Sequence, residues 1–237
     1  MDAFLAAHAP NARVDGRPWI TLTFAQSRDG KIAGAQKQPL RLSGPTSMQM
    51  THKLRAAHDA ILVGIGTILM DNPRLNVRLD GYQGPSPRPV VLDSYLRTPP
   101  SCRLLQVARP LRPLLIAAEP RADEADAWNA RRHALEAAGA HIRTVPRHGT
   151  TLAWDAILKV LASEGVHALM VEGGSGVIDS LLQSRVVPDV VIVTVSPLVV
   201  GELGYGYTTR LSDQSAWQSV QTLALEPDTI VAWKYQP

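Results

Sequence analysis

One cysteine, two phenylalanines and no long apolar run: this 237-residue chain is marked first by what it has little of. A single thiol, Cys102, excludes an internal disulfide and any multi-cysteine metal site. It fits a reducing compartment. No stretch approaches the ~18 consecutive apolar residues that a membrane span needs. The apolar run near the N-terminus, Ala3 to Ala7, is too short for a signal h-region. A cytoplasmic protein is expected, with residues 1–17 a loosely held arm. Charge of one sign is also missing: 24 Lys and Arg against 21 Asp and Glu leave a net +3. That balance is too weak and scattered to argue for nucleic acid. A hydrophobic content of 45% excludes a disordered chain, and the length can bury a sizeable core.

Several catalytic signatures are absent as well. There is no G-x-S-x-G elbow, no Walker A loop and no H-E-x-x-H helix. H-x-E paired with P-C-x-x-C is missing too, which excludes a zinc deaminase. The histidines are dispersed, and His52 and His58 lie six apart, so they cannot act as i,i+4 ligands on one helical face. No metal is expected. Of the 24 basic residues five are lysine and nineteen arginine. Arginine forks suit carboxylate or phosphate, although genomic base composition would give the same bias.

What is present alternates between two periodicities. Trp19–Ser27, Ala60–Val63, Pro89–Leu92, Leu114–Ala117, His141–Val145, Ala168–Val171 and Val190–Val195 read as strands, several of them continuously apolar and so buried on both faces. Thr46–His58, Asp123–Ala138, Thr151–Ser163 and Ser175–Gln183 carry helical spacing, and glycines at 139 and 165 stop two of them. Trp217–Leu225 and Thr229–Tyr235 resemble two strands joined near Pro227. The grammar is that of βα units: one α/β domain around a mostly parallel sheet with an antiparallel finish.

Three segments could carry chemistry. Val171-Glu172-Gly173-Gly174-Ser175-Gly176 joins a buried strand to a helix, where glycines permit a sharp turn and a helix start favours phosphate. It lacks the Rossmann spacing, and a tight turn without ligand is the plainer alternative. Glu172, at the end of a buried strand, is costly unless used or paired. In Gly64–Pro73, Thr67 and Asp71 are four apart and would share a helical face. Asp71 could equally serve as a cap before Asn-Pro. Arg74 and Arg78 follow, and strand geometry would put them with Asn76 on one face, opposite Leu75 and Val77. Ser27-Arg28-Asp29-Gly30 is a turn signal first and a site second.

Together these segments are similar to something specific. S-x-D-G-K-I-A at Ser27–Ala33, the long L-R-x-x-H-D-A-I-L-V-G-I-G-T-x-L-x-D-N-P-x-L run at Leu54–Leu75, P-V-V-L-D at Pro89–Asp93 and V-E-G-G at Val171–Gly174 resemble the riboflavin-pathway pyrimidine reductases. Those are the reductase domain of the bacterial deaminase-reductase and its stand-alone fungal and archaeal relatives. The likeness spans residues 18 to 205. It implies a dihydrofolate-reductase-like fold over residues 18–237, usually a homodimer, with NADPH reducing the ribosylamino group of a pyrimidinone ribosyl 5′-phosphate. The wording is nearest the fungal type, which acts before deamination. The apolar Val186–Val200 region could supply a dimer edge.

Carried over residue by residue, the resemblance puts Ala25, Thr67 and Asp71 against the cofactor, and Gly173, Gly174, Ser175, Gly176 and Val177 at its phosphate-cradling turn. Arg55, Leu75, Arg78 and Glu172 fall at substrate positions, the two arginines suiting a 5′-phosphate. Either Asp71 or Glu172 would relay a proton. Pro39 and Arg41 depart from the bacterial pattern. The rival readings are a pteridine or dihydrofolate-type reductase of the same fold, and a catalytically silent nucleotide-binding module.

Overall fold

The computed structural model describes residues 1–10, 16–149 and 151–236. The β-branched and aromatic runs form extended strands because their stiff side chains pack well on a pleated surface. In chain order the elements begin α1 (Asp2–His8), β1 (Trp19–Gln26), β2 (Lys31–Ala33), α2 (Pro45–Ala56), β3 (Ala60–Gly64), α3 (Ile65–Asp71) and β4 (Arg88–Leu92). They continue with α4 (Arg103–Gln106), β5 (Leu114–Ala118), α5 (Ala125–Ala137), β6 (His141–Val145), β7 (Arg147–His148) and β8 (Thr151–Leu152). The last third holds α6 (Trp154–Ser163), β9 (Ala168–Gly173), α7 (Ser175–Leu182), β10 (Val190–Val195), β11 (Tyr205–Gly206), β12 (Trp217–Leu225) and β13 (Asp228–Tyr235).

Nine strands make one sheet in the order β12-β13-β10-β1-β9-β3-β4-β5-β6. The seven from β10 to β6 run parallel, and β13 and β12 close the edge antiparallel. The mostly parallel sheet with an antiparallel finish is therefore as the periodicity predicts. The order holds one departure from simple outward growth. After β6 the chain returns to lay β9 between β1 and β3, then β10 on the far side of β1.

Alternation along the strands feeds both faces. Leu62 joins Ile20, Leu22, Ile157, Leu161, Ile178 and Leu181 under α6 and α7. Its neighbours Ile61 and Val63 face the other way, with Leu115, Trp128 and Leu135 under α5. Each such fully buried aliphatic side chain contributes ~1.5–3 kcal/mol. At the opposite end of the sheet from β4's last residue, Arg88 and Arg143 share Glu164 at 2.8 and 2.6 Å. Burial alone would raise the Glu164 pKa, but the two guanidiniums outweigh it and hold it lowered.

Three expectations need correction. The N-terminal residues are not a loose arm: α1 plants Phe4, 2% exposed, on Met50, Leu54 and Ile230, and His8 reaches Gln221 at 2.9 Å. Residues 11–15 of that expected arm lie outside the described residues. Within the Val186–Val200 region expected to offer a dimer edge, Val190–Val195 is not a sheet edge, since β10 is paired on one side with β1 and on the other with β13. Arg74 to Arg78 do not form a strand; Leu75 turns there with φ 49°. The Asp-Gly segment is a turn, as its plainer reading holds. Asp29 accepts from Val200 and Gly201 backbone N–H groups and from the Ser27 hydroxyl, which keep its pKa lowered.

Candidate active site

Parallel strands deliver their C-terminal ends to one rim, and ligands of such sheets bind in the crevice outside it. Ala25 of β1, Gly64 of β3, Leu92 of β4 and Glu172 of β9 all line one cavity of about 770 Å³. The segments that follow those strands complete its wall: Thr67, Asp71 and Leu75 after β3, Gly174, Ser175, Gly176 and Val177 after β9. Residues scattered over 150 positions of sequence thus converge because the sheet aligns the strands that carry them.

The glycine turn is open for a physical reason. Gly173 and Gly174 hold φ near 82° and 81°, a region that L side chains rarely adopt. A Cβ on Gly174 would stand 3.1 Å from Thr67 Oγ1, and one on Gly173 would press to 2.9 Å on Ile178. Thr67 donates its hydroxyl to the Gly173 carbonyl at 3.4 Å, tying α3 to this turn. Among the described residues no side chain caps the start of α7. Its first residues, Ser175 to Val177, line the cavity, and a helix start with free N–H groups and a positive dipole end suits phosphate.

Glu172 is paired, not free. Arg55 donates to it through Nε and Nη2, each at 2.6 Å, and through Nη1 to the Asn76 carbonyl at 3.0 Å. One turn earlier on α2, His52 Nδ1 accepts the Arg78 backbone N–H at 3.2 Å. Burial, then Arg55 and Arg78, push the His52 pKa down to about 4, so the ring is neutral and able to accept. Arg55 thereby spends its donors on Glu172 and on the segment after α3. Arg78 is not among the cavity-lining residues; it is exposed and donates to the Asn76 side chain at 3.0 Å.

Asp71 behaves differently. Local capping falls to Asn72, which takes φ 43° and accepts the Arg103 N–H. Asp71 has no hydrogen-bond partner among the described residues and lines the cavity. Its carboxyl reaches solvent, yet the protein around it pushes its pKa up. The two carboxylates therefore differ in kind: Glu172 is locked in a bidentate pair, whereas Asp71 has no such partner among the described residues and burial raises its pKa.

The sequence reading missed Lys37, Ser94, Tyr95, Arg97 and Tyr205, all on the cavity wall. Asp93 could have pointed to three of them. Fully buried, it accepts the Thr98 N–H at 2.7 Å and hydroxyl at 2.8 Å, folding residues 94–97 toward the cavity. Nothing local singles out Lys37 or Tyr205.

Comparison with known proteins agrees with this geometry. The chain is 32% identical over 240 residues to the 2,5-diamino-6-ribosylamino-4(3H)-pyrimidinone 5′-phosphate reductase of Debaryomyces hansenii, covering 94% of this chain and 93% of that one. To the protein of the same name from Methanothermobacter thermautotrophicus it is 38% identical over 186 residues, 78% and 80% of the two chains. The Saccharomyces cerevisiae riboflavin biosynthesis reductase Rib7 shares the fold at a TM-score of 0.74 and 24% identity, covering 98% of both chains. Dihydrofolate reductase from Enterococcus faecalis follows at 0.54 and 15% identity, covering 95% of this chain and all of that one, so the fold is dihydrofolate-reductase-like. The family model of the RibD C-terminal domain matches residues 18–231, and the chain belongs to that family.

Proposed function

We propose that the protein is an NADPH-dependent reductase that converts the ribosylamino group of a diaminopyrimidinone ribosyl 5′-phosphate to a ribitylamino group. The names of its fungal and archaeal relatives support the substrate class. The observation that carries the chemistry is the pairing, across one cavity, of a side-chain-free glycine turn with an unpartnered Asp71.

The residues present fit a nicotinamide dinucleotide. Gly174 leaves open, opposite Thr67, a gap that a Cβ would crowd, and the uncapped start of α7 offers N–H donors to a diphosphate. Ala25, Thr67, Asp71 and Gly173 to Val177 would hold it. Arg97, exposed on the cavity wall with no side-chain partner among the described residues, suits the 2′-phosphate that distinguishes NADPH from NADH. When bound, the nicotinamide supplies the hydride that reduces C1′.

Everything else falls to this chain's side chains. Asp71 gives its proton to the ribose ring oxygen, so the C1′–O bond breaks while the lone pair of the amino nitrogen, which keeps its own proton, forms a C=N bond; hydride arriving at C1′ then leaves the neutral ribitylamino group. Glu172, held in place by Arg55, accepts hydrogen bonds from the substrate and orients it. Leu75 packs against it. Arg78, exposed outside the cavity lining and crowded by Arg55 and Arg74, is the cation offered to the 5′-phosphate; burial and then those like charges depress its pKa. Arg55, bound to Glu172 and Asn76, acts as a positioning residue. Exposed Leu198, Val199 and Leu203 support a homodimer. In a side-by-side assay, NADPH oxidation is expected with the diaminopyrimidinone phosphate and not with dihydrofolate; the opposite preference would remove this reading.

A further inference from the structure

Over the glycine turn lies a short ribbon whose backbone is under strain. β2 pairs antiparallel with β11, Ala33 opposite Tyr205 and Lys31 opposite Gly206. Just beyond β2, Gln36 and Lys37 take φ of 54° and 65°, two consecutive non-glycine residues in the left-handed region. Glycine would adopt that conformation freely, and strained side-chain-bearing residues cluster where a side chain is needed. What the strain achieves is visible at the end of Lys37. Its Nζ stands 4.4 Å from the centre of the Tyr205 ring, and both residues line the cavity beside Ser175. Ser175 and then Lys37 come close enough to the Tyr205 hydroxyl to lower its pKa.

We propose that Lys37 and Tyr205 form a strap that grips the diphosphate of a dinucleotide against the start of α7. This rests on the cofactor reading above. An exposed ammonium over a ring is a weak pairing, whereas a phosphate oxygen offers the same ammonium a charge-assisted hydrogen bond. Lysine serves as a compact point charge for phosphate. The Tyr205 hydroxyl, already next to Ser175, donates from the same side. The two residues close the face that α7's N–H groups leave open, and they come from distant segments that the β2–β11 pairing brings together.

The test is NADPH affinity, followed by fluorescence titration alongside thermal melting. Lys37→Gly removes the ammonium and relaxes the left-handed backbone. It should raise the NADPH Kd about fivefold or more, roughly 1 kcal/mol, with the melting temperature unchanged or higher. Lys37→Arg should bind NADPH within about twofold of the parent protein. Inorganic pyrophosphate should compete with NADPH, and less so in Lys37→Gly. Should Lys37→Gly not fold, Tyr205→Leu serves instead, with an expected loss of about threefold. Parent and variants binding NADPH equally would overturn the strap while leaving the cofactor reading intact. A parent protein that binds no NADPH would overturn both.

Discussion

Arg55 and Glu172, 117 positions apart, meet in a bidentate pair with both bonds at 2.6 Å and both side chains largely buried. Such a pair fixes the geometry of the carboxylate, and breaking it on one side leaves a buried charged group without a partner. Glu172→Gln is expected to destabilise the protein by roughly 3 kcal/mol in chemical denaturation and to raise the substrate KM. The paired change Arg55→Met with Glu172→Met should recover much of the stability but none of the activity. Full activity in the double variant would show that the pair serves the fold alone.

Asp71 holds the opposite position. Asp71→Asn should lower kcat about a hundredfold or more, ~2.7 kcal/mol of barrier, while NADPH affinity changes by less than about threefold. Its raised pKa gives the sign of the pH effect. The acid form is lost as pH climbs through that pKa, so kcat falls on the alkaline side. Turnover of Asp71→Asn within about twofold of the parent would remove Asp71 from proton transfer.

Arg78 offers a split between substrates. Arg78→Ala should raise KM for the phosphorylated pyrimidinone about tenfold and leave a dephosphorylated analogue little affected, as expected for a charge-assisted phosphate contact. An equal effect on both would refute the phosphate assignment.

His52 links the site to stability. Its folded pKa of about 4 lies below the ordinary 6.5, so the unfolded chain takes up the proton first as pH falls. Its contribution is flat above about pH 6.5, declines between about 6.5 and about 4, and levels off below. Melting temperatures over that range should show the decline, and His52→Asn, which retains an acceptor for the Arg78 N–H, should reduce it. Superimposable curves for the two proteins would dismiss the linkage.

Phe4 tests the N-terminal helix. Phe4→Ala empties a site among Met50, Leu54 and Ile230 and should cost about 3 kcal/mol, read from urea midpoints, with substrate KM unaltered. A change within about 0.5 kcal/mol would return these residues to a loose arm.

Much of this was legible locally. Continuous apolar runs such as Val190–Val195 and Leu114–Ala117 became interior strands because sterics and removal from water act on neighbouring residues. Gly173 and Gly174 announced a turn for the same short-range reason, and Thr67 and Asp71 share a cavity-facing helix as their spacing of four requires. The ordered motifs carried the family.

Tertiary structure alone decided the partnerships. The return of β9 between β1 and β3 sets Glu172 opposite Arg55, so the arginine expected at a substrate position also clamps a carboxylate. Asp71 is left without a partner among the described residues because Asn72, one position on, caps α3 and takes the Arg103 N–H. The pairing of β2 with β11 sets Lys37 on Tyr205 across 168 residues of chain. Periodicity tells each segment which face to bury; only the order of strands in the sheet determines which charges then meet.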